Sequence, residues 1–160
     1  MTISGLLTKV KALNIEQISI DSVEETKDKL LDKSREQLLE GKLRTGQDIF
    51  PTYLEDPFFK TKQAAQRYSD WKDRLTPNSK RKKGVPNLFI TGAWVHDPLK
   101  IEIQGTNIQF DIPSPIGAKI FQKYGVNIVG LDPEKKGEYV KENLRPVFNR
   151  KVSENTGLKF

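Results

Sequence analysis

Two short alternating runs constrain this chain most. Leu99, Ile101 and Ile103 alternate with Lys100, Glu102 and Gln104, and Ile108, Phe110 and Ile112 alternate with Gln109 and Asp111. Side chains along a strand point to opposite faces in turn, so each run reads as a strand with one apolar edge. Gly105-Thr106-Asn107 lies between them. The pattern is that of an antiparallel hairpin with one buried and one wet face.

The front of the chain follows a different period. Ile3, Leu6, Leu7, Val10 and Leu13 recur at helical spacing, and Ile15, Ile18 and Ile20 follow in a more extended-looking stretch. Ser22-Val23-Glu24-Glu25 has the form of a capping box, in which a hydroxyl and a carboxylate satisfy each other's orphan backbone donors. Val23, Lys27, Leu30, Leu31, Ser34, Leu38 and Leu39 then share a narrow face, with Glu24, Glu25 and Asp28 early, where the helix dipole favours acids. A helix over 22–40, stopped at Gly41, is predicted.

Residues 41–60 carry no clean period. Gly41, Gly46, Pro51 and Pro57 punctuate a run containing Phe50, Tyr53, Leu54, Phe58 and Phe59. Loops of about 20 residues are uncommon in compact domains and tend to carry function. Either the aromatics Phe50, Tyr53, Phe58 and Phe59 fold back over the core, or they form an arm that packs on a neighbouring subunit. From Thr61 the helical period returns through Ala64, Ala65, Tyr68, Trp71 and Leu75, predicting a helix over 61–75.

Residues 76–87 form a breaker cluster that holds the basic run Lys80, Arg81, Lys82 and Lys83. Leu88-Phe89-Ile90 reads as a short strand ending at Thr91-Gly92. Ile116 to Tyr124 reads as a helix closed by Gly125, and Val126 to Val129 as another strand. Asp132-Pro133-Glu134 opens the last helix: the aspartate caps, and proline fits the first turn. Tyr139, Val140 and Leu144 give that helix its apolar face, Pro146 limits or kinks it, and Ser153 to Phe160 reads as a tail.

The expected fold is therefore α+β: N-terminal helices, an arm-like loop, a small antiparallel sheet with a short helix, and a C-terminal helix. Residues 1–160 read as one domain, with 1–21 an N-terminal segment, 41–60 the arm and 151–160 a C-terminal tail. Leu88, Phe89, Trp94, Ile101, Ile103, Ile108, Phe110, Phe121 and Tyr139 are its expected core. Hydrophobic residues make up 36% of the chain, and with 8 Phe, 4 Tyr and 2 Trp there is aromatic mass for a modest core.

Composition removes much chemistry. There is no cysteine, which excludes disulfides, thiolate catalysis and Cys-based metal sites. The single histidine, His96, lies in Trp94-Val95-His96-Asp97-Pro98 and has no second His or Cys to complete a metal site. Glu55-Asp56 and Asp70-Asp73 are carboxylate pairs with nothing in sequence to orient them around one pocket. No nucleophile elbow or phosphate-binding glycine loop occurs. No catalytic residue, cofactor or metal is expected. No run is long enough to span a membrane, and Met1 to Lys11 lacks the apolar run of a signal peptide.

Lysine and arginine number 27 against 21 acids, a net charge of +6. Lys80 to Lys83 read either as a solvated loop or as a sequence-blind phosphate contact. With no recognition helix or RNA-binding aromatic motif nearby, such a contact suits passing DNA better than regulation.

Several segments together resemble the tailed-phage virion-morphogenesis, or tail-completion, family. Leu88-Phe89-Ile90-Thr91-Gly92-Ala93-Trp94 is similar to its "L-x-x-T-G-x-(aromatic or Leu)" segment. Ile120-Phe121-Gln122-Lys123-Tyr124-Gly125 is similar to its "H-Q-F-G" segment without the histidine, and Val129-Gly130-Leu131-Asp132 with Glu134 to its "F-L-G-L-S-x-E-D" entry to the last helix. Arg35 to Lys42, followed by Gly46 and Pro51, resembles its opening helix and glycine-proline run. These segments cover about residues 22–148 in the family's order, with an insert at 52–80.

The resemblance implies a non-enzymatic structural component of the head–tail junction: a neck, connector or tail-terminator-like subunit. It implies a homo-oligomeric ring around the DNA channel, touching portal or tail proteins, with the virion as its location and the host cytoplasm as its site of assembly. In that setting Phe50, Tyr53, Phe58 and Phe59 would be arm anchors between subunits. Lys80, Arg81, Lys82 and Lys83 would face packaged DNA or an acidic neighbour. Two other classes remain open: a small basic nucleic-acid-binding accessory protein, and a small hydrolase built on Asp70 or Asp73.

Overall fold

A computed structural model describes residues 3–77, 80–88 and 99–158. Helix α1 spans Ile3–Lys11 and α2 spans Ile15–Glu25, where the Asn14 side chain caps the backbone N–H of Gln17. The stretch expected to be extended is thus helical. Buried positions Ile18, Ser22, Thr26, Leu30, Ser34 and Leu38 continue one helical stripe through α2 and into α3, Lys27–Leu39. The helix expected over 22–40 is therefore two helices meeting at Thr26. Ser22 is no cap: its hydroxyl lies inside α2 and donates to the Ile18 carbonyl at 2.6 Å. Beyond Glu40 the chain turns at Gly41, where φ is +71° and a Cβ would meet Val85 Cγ1 at 2.7 Å. Only glycine fits both that conformation and that close approach.

Residues 41–60 hold no helix or regular strand, yet they are tied down. Lys42 and Asp48 form an isolated antiparallel bridge, and the Ile49 N–H donates to the Gly41 carbonyl at 2.8 Å with Ile49 fully buried. Helix α4, Lys62–Leu75, starts where the Thr61 hydroxyl accepts from the Ala64 N–H. Its buried line is Ala65, Ser69 and Lys72, offset from the apolar stripe read in sequence, so Trp71 and Leu75 stay partly exposed.

Strands β1, Lys100–Gln104, and β2, Asn107–Asp111, pair antiparallel with Ile101 opposite Phe110 and Ile103 opposite Ile108. The turn is the two residues Gly105 and Thr106, and Asn107 already belongs to β2. The apolar face of the hairpin meets α3, as the alternation requires. Ile101 is buried and Ile103 and Phe110 half-buried, but Ile108, expected in the core, is 39% exposed. The strand expected at Leu88–Ile90, the core residues Phe89 and Trp94, and His96 lie outside the described residues, apart from Leu88, which packs half-buried against the core.

Helix α5, Pro115–Tyr124, is closed by Gly125 as expected, and the Ser114 side chain caps its start. Val126–Ile128 is a single 3₁₀ turn, not a strand. Its apolar run serves to drive Ile128 and Val129 into the core, and the Arg44 N–H donates to the Asn127 carbonyl at 2.9 Å. Helix α6, Pro133–Tyr139, begins as read: the Asp132 carboxylate accepts from the Lys135 N–H at 2.8 Å.

Pro146 neither stops nor ends the helical run. Val140–Leu144 forms one π turn, with the Arg145 N–H reaching back to Val140 O, and α7 follows over Arg145–Thr156. A proline lacks the donor and crowds the carbonyl four residues back, and a wide turn ahead of it removes that crowding. The expected tail is helical to Thr156, with Val152 and Thr156 buried where α7 packs on α1 and α2. The fold is α+β: among the described residues, helices accompany a small two-stranded antiparallel sheet. One apolar cluster joins Leu38, Ile49, Val85, Leu99, Ile112, Ile120, Ile128 and Val129; a second joins Leu30, Ile101 and Tyr139.

Candidate functional site

The four loop aromatics divide. Tyr53 folds inward: it is buried, its N–H donates to Gly84 O at 2.9 Å, and burial pushes its phenol well above the ordinary range. Phe59 is half-buried, while Phe50 and Phe58 are 64% and 80% exposed. The division has a local cause. The Asp56 carboxylate accepts from the Phe58 N–H at 3.1 Å and pairs with Lys123 on α5, which pins the turn Asp56–Phe59 and leaves Phe58 pointing to solvent.

Phe58 is not isolated. Its ring meets Phe59 edge-on at 5.3 Å; Phe59 meets Tyr68 at 5.2 Å; Tyr68 meets Trp71 at 5.4 Å and Tyr53 at 5.1 Å. The Tyr53–Tyr68 and Phe58–Phe59 contacts are edge-to-face, a favoured aromatic geometry, and the other two are tilted. The result is a ladder rooted in the core at Tyr53 and open to water at Phe58 and Trp71. Sequence periodicity put Tyr68 and Trp71 on one face of a helix and gave them no part in this surface. Leu54, also exposed, belongs to the same loop.

The basic run has partners throughout. Arg81 is almost wholly buried, pairs with Asp73 of α4 and donates to Val85 O at 2.6 Å. Lys82 meets Asp48 at 2.6 Å, Lys83 meets Asp70 at 3.2 Å, and Lys80 lies 3.8 Å from Glu40. Hydrogen bonds from Lys42 and Lys82 hold the Asp48 carboxyl below its usual range. The run therefore straps the 80–83 segment to α4 and to the 41–60 loop. The same pairing separates the candidate acid pairs: Asp70 and Asp73 answer to different cations, Asp56 answers to Lys123, and Glu55 accepts from Thr52.

Beneath this strap lies Lys72, 1% exposed, its amine pushed down to about 8 by burial and by the nearby Arg81 charge. The buried Ser69 hydroxyl beside it on α4 has no hydrogen-bond partner among the described residues.

A cleft of about 750 Å³ opens between the hairpin and α6. Phe110, Phe121, Val129, Leu131, Tyr139 and Leu144 give it apolar walls, and Ile108 and Val126 (69% exposed) are its exposed apolar liners. Arg44 and Lys136 also line it, and neither forms an ion pair among the described residues. The third charge, Asp111, has its carboxylate engaged by the Ile112 N–H at 2.7 Å. Sequence reading gave Arg44 and Lys136 no role.

Among the described residues no helix is long and apolar enough to cross a membrane. No protein-family model, curated protein or solved structure matches the chain.

Proposed function

We propose that this protein is a structural subunit of a tailed-phage virion, assembling as a homo-oligomeric ring at the head–tail junction around the DNA channel. The observation that carries the reading is Phe58: a phenylalanine 80% exposed at the open end of a ladder of rings. A pinned, solvent-facing aromatic surface is costly for a free monomer and is the usual mark of an interaction site. Aromatic anchors of this kind dominate interface energies. The resemblance of its ordered segments to the tail-completion family supplies the setting, with portal, connector or tail proteins as neighbours.

The second reading, a small basic nucleic-acid-binding accessory protein, rests on the net charge of +6 and on the basic loop, where Lys80, Lys82 and Lys83 keep exposed side chains beside Glu40, Asp48 and Asp70 while Arg81 is turned inward onto Asp73.

Light scattering of the purified protein over a concentration series tests the assembly. The wild type is expected to gain mass in whole subunits. Phe58→Ala should require roughly thirtyfold more protein to do so, the loss expected of a central aromatic anchor. A wild type that stays monomeric throughout, or a variant that assembles equally well, would contradict the proposal.

A further inference from the structure

We propose that the cleft between the hairpin and α6 is the socket that receives Phe58 of the next copy, so that the subunits join head to tail. This rests on the reading that the chain assembles through its aromatic ladder, and it names the other half of that contact. Helix α5 carries both halves. Phe121 lines the cleft, whereas Lys123 pairs with Asp56 at the foot of the turn bearing Phe58. Residues two apart on a helix lie about 200° apart around its axis. The knob and the socket therefore face opposite sides of α5, and no chain can fill its own cleft with its own Phe58.

Chemistry matches across the gap. The cleft offers apolar walls to an aromatic ring whose surface is 80% open. Arg44 and Lys136 bring positive charge to the cleft, and Glu55 stands exposed three residues before Phe58. An acid beside the knob and unpaired bases at the socket favour one orientation over others. Phe58 alone hides too little, since a phenylalanine buries about 150–250 Å² and stable interfaces bury about 1,200–2,000 Å² in total. Leu54 and Phe50, exposed on the same loop, supply further apolar surface. A contact between two different patches is heterologous, and repetition of it closes a ring when the rotation allows.

Two substitutions separate this from other ways of using the ladder. Val126→Trp blocks the socket at an exposed position, and Phe58→Ala removes the knob. Each alone should weaken assembly roughly thirtyfold by light scattering. Mixed in equal amounts, they should form a heterodimer and nothing larger, because one intact knob and one intact socket remain between them. Full-size assembly of Val126→Trp, with Phe58→Ala still defective, would overturn the socket while leaving the assembly reading intact. Wild-type protein monomeric at every concentration would overturn both.

A second pair keeps the test independent of how the chain tolerates the bulk added by Val126→Trp. Lys136→Glu should weaken assembly about tenfold, and adding Glu55→Lys to the same chain should restore it. Failure of that rescue contradicts the socket. Saturable binding of an apolar small molecule or peptide in the cleft that leaves assembly unaffected also contradicts it.

Discussion

The side chain of Gln37 closes the backbone around Asp132, 95 residues away in sequence. Its carbonyl oxygen accepts from the Asp132 N–H at 2.6 Å, and its amide donates to Gly130 O at 3.1 Å. Asp132 in turn caps α6 with its carboxylate. One wholly buried glutamine thus fixes where the wall of the cleft begins.

Replacing Gln37 with leucine, nearly equal in size, strands a buried N–H and a buried carbonyl. Each such orphan costs roughly 1–3 kcal/mol, so urea unfolding should show a loss of about 2–6 kcal/mol. A change within about 0.5 kcal/mol, the range of an ordinary surface substitution, would mean that this bond does not hold α6 in place.

Lys72 sets a pH dependence. Its folded amine titrates at about 8, well below the unfolded value of 10.5. Between those pH values the unfolded chain holds the extra proton, so stability rises with pH from about 8 upward. Tyr53 and Tyr124 act oppositely: burial raises both, Tyr124 to about 12, so they favour the unfolded chain above its tyrosine range near 10. Melting temperature should therefore crest between about pH 8 and pH 10. Lys72→Met should remove the rise and stabilise the protein by roughly 1–3 kcal/mol at pH 7, because a buried charge with no ion-pair partner among the described residues gives way to an apolar chain. A destabilised Lys72→Met, or an unchanged rise, would contradict this.

Gly117 sits in the first turn of α5, where an added methyl would overlap the Ile112 carbonyl oxygen. Both atoms are held, one by the Ser114 cap and one by the core packing of Ile112. Gly117→Ala should cost more than about 3 kcal/mol despite alanine's better helix propensity, as overpacking does when backbone must move. Thermal unfolding checks it, and an unchanged or raised melting temperature would be the contrary result.

Sequence alone revealed the parts whose causes are local. The alternation about Gly105 placed the hairpin, and the local signals at Thr61 and Asp132 opened two helices where the structure has them, while Gly125 closed a third. It failed where a distant partner decides. Ser22 resembles a cap, but its neighbours in the stripe from Ile18 to Leu38 carry it inside a helix. The apolar run Val126–Val129 resembles a strand, yet no strand lies beside it among the described residues.

The candidate site was half legible for the same reason. Loop composition marked Phe50, Tyr53, Phe58 and Phe59 together. Which of them faces water depends on Asp56 meeting Lys123, a pairing across 67 residues that no spacing announces. The basic run gave no sign in sequence of its carboxylate neighbours, because Asp48, Asp70, Asp73 and Glu40 lie elsewhere in the chain.

The central claim, that this chain is a building block of the virion, is tested most directly by quantifying it in purified phage particles. The account predicts a fixed number of copies in every particle, with labelled protein found at the head–tail junction. Particles that lack the chain while the infected-cell lysate contains it would contradict the account.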